Sequence, residues 1–410
     1  MGKKLLVAQS GGPTSAINAT LAGVIEAAIR NPEVSDVLGA RYGIQGVLRE
    51  QFLDLSGIEH IEDMLATLAV TPAAALGSCR FKLKDPAQDP SEFEELIRIF
   101  QKHEIGYFVY IGGNDSMDTV WKLSDYIKKH NIPDIVVVGA PKTIDNDLFG
   151  IDHCPGFGSA AKYIATSISE LERELEVYDT PYVIVVEMMG RNAGWLTAAA
   201  ALAESANSNV PYLIYLEERP FDLNDFISDL RGELAVGKDV IVAISEGIRD
   251  RSGKMICDYA DRDQSTDAFG HTIATGAGKV LENAIRSNIG CKVRYIELNL
   301  LQRCAGHLLS ETDITESTEL GRNAVRLAVD GQNGVMSTLT RTSNHPYSVA
   351  YGAADIADIA DREKKVPDSW ITSEGNGVTE EMLEYLRPLV QGERSCKFEN
   401  GIPKYVVFDK

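Results

Sequence analysis

The chain has 410 residues, 40 Lys plus Arg against 60 Asp plus Glu, and a formal net charge of −20. That balance argues against a protein that grips nucleic acid by broad phosphate neutralisation, but it leaves room for a local cationic pocket that takes a phosphorylated metabolite. The length suits two or three domains, and no run approaches the roughly 20 apolar residues of a membrane-spanning helix. Six cysteines without a Cys-x-x-Cys pair fit neither a disulfide framework nor a zinc site; they read as reduced thiols of a cytoplasmic protein.

In chain order, the first apolar run, residues 5–8, stops at Gln9-Ser10-Gly11-Gly12-Pro13. It is too short for a signal peptide and reads as a strand. Further β-branched runs at 108–111, 135–139, 183–188, 213–216 and 240–244 are continuous rather than alternating, as in parallel sheets covered on both faces. Helical patterns occupy 16–29, 93–102, 116–129 and 193–203. This rhythm predicts an α/β protein with two Rossmann-like lobes, doubly wound and mostly parallel, dividing near Gly156-Phe157-Gly158-Ser159. A short helix is expected at 380–386, within a C-terminal appendage.

Ligands of such sheets bind outside the carboxyl ends of the strands, so the loops there carry the chemistry. After the first strand, Gly11-Gly12 allows a sharp turn with exposed N–H groups, and Thr14 or Ser15 can cap the next helix. The turn is neither a P-loop nor G-x-G-x-x-G, and alone it is more often a tight connection. After the 108–111 strand, Gly112-Gly113-Asn114-Asp115-Ser116 opens a second helix, with Asp115 or Ser116 available as its cap.

After the 135–139 strand comes Pro141-Lys142-Thr143-Ile144-Asp145-Asn146-Asp147. One carboxylate here can take the proton of an attacking hydroxyl, and the other can hold Mg²⁺. Lys142 can offset charge on a transferring phosphoryl group. An isolated Asp-Asn-Asp is usually a polar turn, but three such loops after three strands argue for one phosphoryl-transfer site. Arg191, after Met189-Gly190, can bind phosphate or carboxylate in a fork; its ordinary role would be a surface salt bridge.

Together these loops resemble the phosphofructokinase family over most of the chain. The matching pieces are Gly11-Gly12, Leu76-Gly77-Ser78-Cys79-Arg80, Gly112-Gly113-Asn114-Asp115-Ser116, Thr143-Ile144-Asp145-Asn146-Asp147, Met189-Gly190-Arg191, Glu246-Gly247 and Gln302-Arg303. The resemblance implies phosphate transfer to the 1-hydroxyl of fructose 6-phosphate in the cleft between the lobes. It implies lobes at 1–157 (completed by about 303–345) and 158–302, with an extension at 346–410 packing on both. Asp145 would be the proton acceptor, with Asn114 and Asp147 organising Mg²⁺. Thr143, Ile144, Asp145, Met189, Gly190, Arg191, Glu218 and Glu246 would line the sugar site. Arg294 and Arg303 would bind the 6-phosphate, one of them arriving from a neighbouring copy of a homodimer or homotetramer.

The same resemblance addresses the donor. Asp115 stands where ATP-using members have glycine, and Lys142 replaces the glycine before Thr-Ile-Asp. Both changes mark pyrophosphate dependence. A carboxylate at Asp115 would fill the space, and repel the charge, of a nucleotide α-phosphate, whereas Lys142 suits the shorter donor. Gly11, Gly12, Arg80 and Lys142 would then hold pyrophosphate, and the reaction would run in both directions. Three departures stand out: Asn114 replaces an aspartate, Tyr182 an arginine, and Leu300 a His or Tyr. The alternatives are an ATP-dependent kinase on this scaffold, a dinucleotide oxidoreductase, which lacks the spaced glycines, and a sugar-phosphate-binding regulatory subunit without activity.

Overall fold

The computed structural model describes residues 2–57, 61–204, 210–237, 239–259, 276–359 and 362–408. Among these, one sheet contains β1 (Lys3–Gln9), β2 (Val34–Ala40), β3 (Phe52–Asp54), β4 (Ile105–Gly112) and β5 (Val136–Pro141). A second contains β6 (Tyr182–Met188), β7 (Tyr212–Tyr215), β8 (Asp239–Ser245) and β9 (Lys292–Glu297). The chain then returns through β10 (Leu309–Ser310) to the first sheet, adding β11 (Val335–Asn344) and β12 (Tyr347–Asp355). The first sheet runs β12-β11-β5-β4-β1-β2-β3, and the second β7-β8-β6-β9.

Every pairing in the second sheet is parallel, and so are the central pairings of the first. Parallel neighbours require crossovers, which place helices on both faces. Strand β1 shows the consequence. Leu6 and Ala8 join a core with Phe100 and Phe108 on one face. Leu5 and Val7 join a core with Ile17 and Val24 on the other. With both faces dry, the apolar run has no reason to alternate.

Several elements depart from expectation. Residues 135 and 216 fall just outside their strands, and the 193–203 helix is two short ones, Trp195–Ala198 and Ala200–Glu204. Strands β2 and β9 carry polar and charged residues that hide them from a search for apolar runs. The 346–410 segment is not a single extension. Its first stretch, β12, pairs antiparallel with β11 through nine register positions and forms the edge of the first sheet. Beyond it, the Glu380–Leu386 helix appears as expected, and Glu393–Arg394 pairs with β10.

The helices Ile17–Ile29 and Glu311–Val329 approach each other on glycines. A Cβ on Gly23 would lie 2.0 Å from the Thr318 carbonyl oxygen, and one on Gly321 would lie 2.1 Å from that of Thr20. Gly321→Ala is therefore expected to destabilise the fold by about 1–3 kcal/mol, read as a lower denaturant midpoint. An unchanged midpoint would mean that the helices separate without cost.

Candidate active site

The carboxyl ends of β1, β4, β5, β6 and β8 open on one cleft of about 380 Å³. After β1, Gly11 turns at φ 77°, and its neighbour Gly12 leaves room for Arg303; a Cβ there would sit 2.9 Å from the guanidinium. The Gly12 carbonyl accepts a 2.6 Å hydrogen bond from Lys142 Nζ. The Lys142 side chain thus runs from the end of β5 back to the first turn.

The helices at these turns are capped differently from expectation. The Asn114–Lys129 helix begins at Asn114, and neither Asp115 nor Ser116 caps it, because Gly113 occupies the cap position. The Ile17–Ile29 helix also lacks a side-chain cap; the Thr14 hydroxyl accepts only from the Ala16 N–H, at 3.3 Å. First-turn N–H groups without a side-chain acceptor suit an anion.

After β5, Thr143 Oγ1 accepts from the Asp145 N–H at 3.1 Å. Asn146 adopts φ 55°, a conformation asparagine tolerates, with its side chain buried. The flanking carboxylates Asp145 and Asp147 both line the cleft. From the second lobe, Met189, Arg191 and Glu246 face them. Arg191 Nε is buried without a hydrogen-bond partner, a donor left for a ligand.

Charge in the cleft is arranged in opposition. Burial, then the charge of Asp147, raises Asp145 well above the usual carboxylate range. Burial likewise raises Asp147, and it takes Glu246 up to about 8, aided by Asp145. Lys142 is brought down to about 8, by burial first and then by Arg303, while Asp145 and Asp147 act to keep its proton. Burial and the nearby Arg80 lower Arg303. Three cations that repel one another, facing carboxylates that resist ionisation, suit a site whose missing charges arrive with polyanionic substrates.

One carboxylate oxygen in the cleft is left available to a metal. Asp147 Oδ2 accepts from Asn114 Nδ2 at 2.9 Å, whereas its buried Oδ1 has no partner. Among the described residues, no group of three or more His, Cys, Asp or Glu is placed to hold an ion. One free carboxylate oxygen, completed by water and substrate oxygens, is a donor set that a hard divalent cation accepts.

Of the residues singled out in the sequence, Gly11, Gly12, Arg80, Asn114, Asp115, Lys142, Thr143, Ile144, Asp145, Asp147, Met189, Arg191, Glu246 and Arg303 line the cleft. Gly190, Glu218 and Arg294 do not. Gly190 supports the wall instead: it turns at φ 120°, where a Cβ would meet the Ala193 carbonyl oxygen at 2.5 Å. Glu218 is committed to backbone, accepting from the Gly194 N–H at 3.0 Å and the Val366 N–H at 3.0 Å. Arg294 is exposed on β9, beside Tyr182. Asn192 and Glu363 also line the cleft and were not anticipated; Asn192 Nδ2 donates to Glu363 Oε1 at 2.9 Å. Asn192 adjoins Arg191 in the loop after β6, where the sequence already places chemistry, but Glu363 lies in no recognisable pattern.

Residues 4–328 match the model of the family described as Phosphofructokinase. The chain belongs to the phosphofructokinase family. Among curated relatives, it is 43% identical to the pyrophosphate–fructose 6-phosphate 1-phosphotransferase of Xanthomonas campestris pv. campestris, covering 98% of this chain and 95% of that one. It is 41% identical to the protein of the same name from Halomonas elongata, over 97% and 94% of the two chains. Among solved structures, a pyrophosphate-dependent phosphofructokinase from Nitrosospira multiformis superposes with a TM-score of 0.87 at 37% identity, covering 98% of this chain and 96% of that one. Phosphotransferases of the family generally use a divalent metal. No helix among the described residues is long and apolar enough to cross a membrane.

Proposed function

We propose that the protein transfers a phosphoryl group from pyrophosphate to the 1-hydroxyl of fructose 6-phosphate, giving fructose 1,6-bisphosphate and phosphate, and that it does so reversibly in the cytoplasm. The observation that carries this reading is the placement of Lys142. Its ammonium bridges from the Asp145 turn to the Gly11-Gly12 turn, where a short anionic donor would lie.

Pyrophosphate rests on the uncapped helix ends and the Gly11-Gly12 turn, with Arg80 and Lys142 beside it. Fructose 6-phosphate lies between Thr143–Asp145 and the second lobe's Met189, Arg191 and Glu246. Asp145 accepts the proton of the 1-hydroxyl as that oxygen bonds to the terminal phosphorus. The bridging P–O bond breaks, and phosphate leaves. Lys142 stabilises charge on the transferring and leaving oxygens. Asp147 and Asn114 would hold Mg²⁺, which neutralises donor charge when bound. Arg303 stands beside Gly12 and Lys142, so it meets phosphate near the donor as well as the sugar. Arg294 does not line the cleft of its own chain, and it serves that of a neighbouring copy in a homodimer or homotetramer. Arg294→Ala is accordingly expected to raise KM for fructose 6-phosphate about tenfold or more and to spare KM for pyrophosphate. An unchanged sugar KM would remove Arg294 from the site.

Phosphorus NMR tests the whole reaction. With fructose 6-phosphate, pyrophosphate and Mg²⁺, the pyrophosphate signal should decline as bisphosphate and phosphate signals grow. Starting from the products, the same final ratio should be reached. A mixture that stays unchanged from both sides would contradict the reading.

A further inference from the structure

Residues 363–366 cross from one lobe to the other in four steps. On the first-lobe side, the Lys364 N–H donates to the Asp147 carbonyl at 2.7 Å, and Glu363 bridges Leu148. On the second-lobe side, Glu363 holds Asn192, the Trp195 indole N–H donates to the Lys364 carbonyl at 3.0 Å, Lys365 pairs with Glu217 at 3.0 Å, and the Val366 N–H donates to Glu218. On the first-lobe side the contacts fall on Asp147 and its neighbour Leu148; on the second-lobe side Asn192 lines the cleft, while Trp195, Glu217 and Glu218 do not.

The Lys364 side chain adds a second grip. Its ammonium donates to Asn146 Oδ1 at 3.1 Å, to the Asp152 carbonyl at 2.6 Å and to the Ile151 carbonyl at 3.4 Å. An ammonium has three donors, and three acceptors are supplied. Asn146 separates Asp145 from Asp147. Its amide also donates to the Tyr385 hydroxyl at 2.8 Å and accepts from the Cys154 N–H at 3.0 Å. The Tyr385 hydroxyl in turn donates to the Asp152 carbonyl at 2.8 Å. The left-handed residue of the catalytic turn is therefore clamped by two side chains from the C-terminal region, and that clamp is continuous with the strand of contacts reaching the second lobe. Burial holds Lys364 below the ordinary lysine range, as expected for an ammonium enclosed by carbonyl oxygens rather than water.

We propose that residues 363–366 and Tyr385 form a strap that fixes the Asp145–Asp147 turn in register with the sugar-binding loops, with Lys364 as its chief positioning residue. This rests on the functional reading above. Lys364 does not line the cleft; it acts through Asn146 and the backbone of the turn.

The test uses the full chain, with Lys364→Met, Lys364→Arg and Tyr385→Phe compared by circular dichroism, melting temperature, kcat and both KM values. Lys364→Met should fold and lose about 30- to 100-fold in kcat through misplacement of the turn, with KM for pyrophosphate within about threefold of the parent. Lys364→Arg should recover a substantial part of that loss, since a cation is restored. A Lys364→Met protein that keeps its kcat, or loses it only in proportion to its unfolded fraction, overturns the proposal. If Lys364→Met does not fold, Tyr385→Phe decides. It removes one hydroxyl, and a kcat loss of about three- to tenfold at unchanged KM is expected, while an unchanged kcat overturns the strap. A parent enzyme inactive with pyrophosphate would instead mark failure of the functional reading.

Discussion

Asp145→Asn is expected to lower kcat by about 10³-fold, the scale of a lost general base, while KM for fructose 6-phosphate stays within about threefold. The amide keeps the size of the side chain and removes its capacity to take the proton. A pH profile of the parent should agree. The Asp145 carboxyl is raised by burial and by Asp147, and it must be ionised to act. kcat/KM should therefore fall on the acid side at a pH above the ordinary carboxylate value of about 4. The same shift has a consequence for stability. A carboxyl whose folded pKa lies above its unfolded value binds more protons in the folded state, so its contribution to stability falls as pH rises between the two values. Asp145→Asn should thus melt higher than the parent at pH 8 in the absence of substrates. A variant that keeps its turnover, or that melts lower at this pH, would remove Asp145 from the role assigned to it.

Lys142→Met is expected to cost about 10²- to 10³-fold in kcat with pyrophosphate, because a preorganised cation is removed from where negative charge shifts during transfer. Its fold should survive. Burial first, and then the charge of Arg303, brings the ammonium down to about 8, so the folded state holds its proton less readily than free lysine does, although Asp145 and Asp147 favour the charged form. Removing the charge relieves the cost of burying it beside Arg303, so the melting temperature should not drop. The parent should also lose activity as pH rises past about 8, and the variant should lose that alkaline limb. Retained turnover with pyrophosphate in Lys142→Met would show that the donor does not depend on this cation.

The parts of the site that follow a strand directly were legible in the sequence. Gly11-Gly12, Asn114-Asp115 and Lys142–Asp147 each sit at the carboxyl end of a buried apolar run, and such ends converge in parallel sheets. What escaped was set by distant contacts. Glu218 sits in a stretch that suggested a sugar ligand, but its carboxylate is occupied by the N–H groups of Gly194 and Val366, the second of which lies 148 residues away. Arg294 has the right spacing from Arg303, yet parallel pairing with Ile184 fixes it early in β9, away from the cleft. The strap was invisible for the same reason. Glu363 and Lys364 carry no local pattern, and their meaning comes from Asn192 and Asn146, residues supplied by other parts of the fold. The hairpin of β11 and β12 was missed because buried Ser337 and Thr338 interrupt the apolar run in β11, and β12 carries small and polar residues at its exposed positions.

Whether this cleft takes pyrophosphate is tested most directly by offering one donor at a time. Purified protein is given fructose 6-phosphate and Mg²⁺ with either pyrophosphate or ATP, and fructose 1,6-bisphosphate is measured. Formation with pyrophosphate and none above background with ATP is the predicted result. Formation with ATP but not pyrophosphate would contradict the roles given to Asp115 and Lys142, and formation with neither would contradict the assigned reaction.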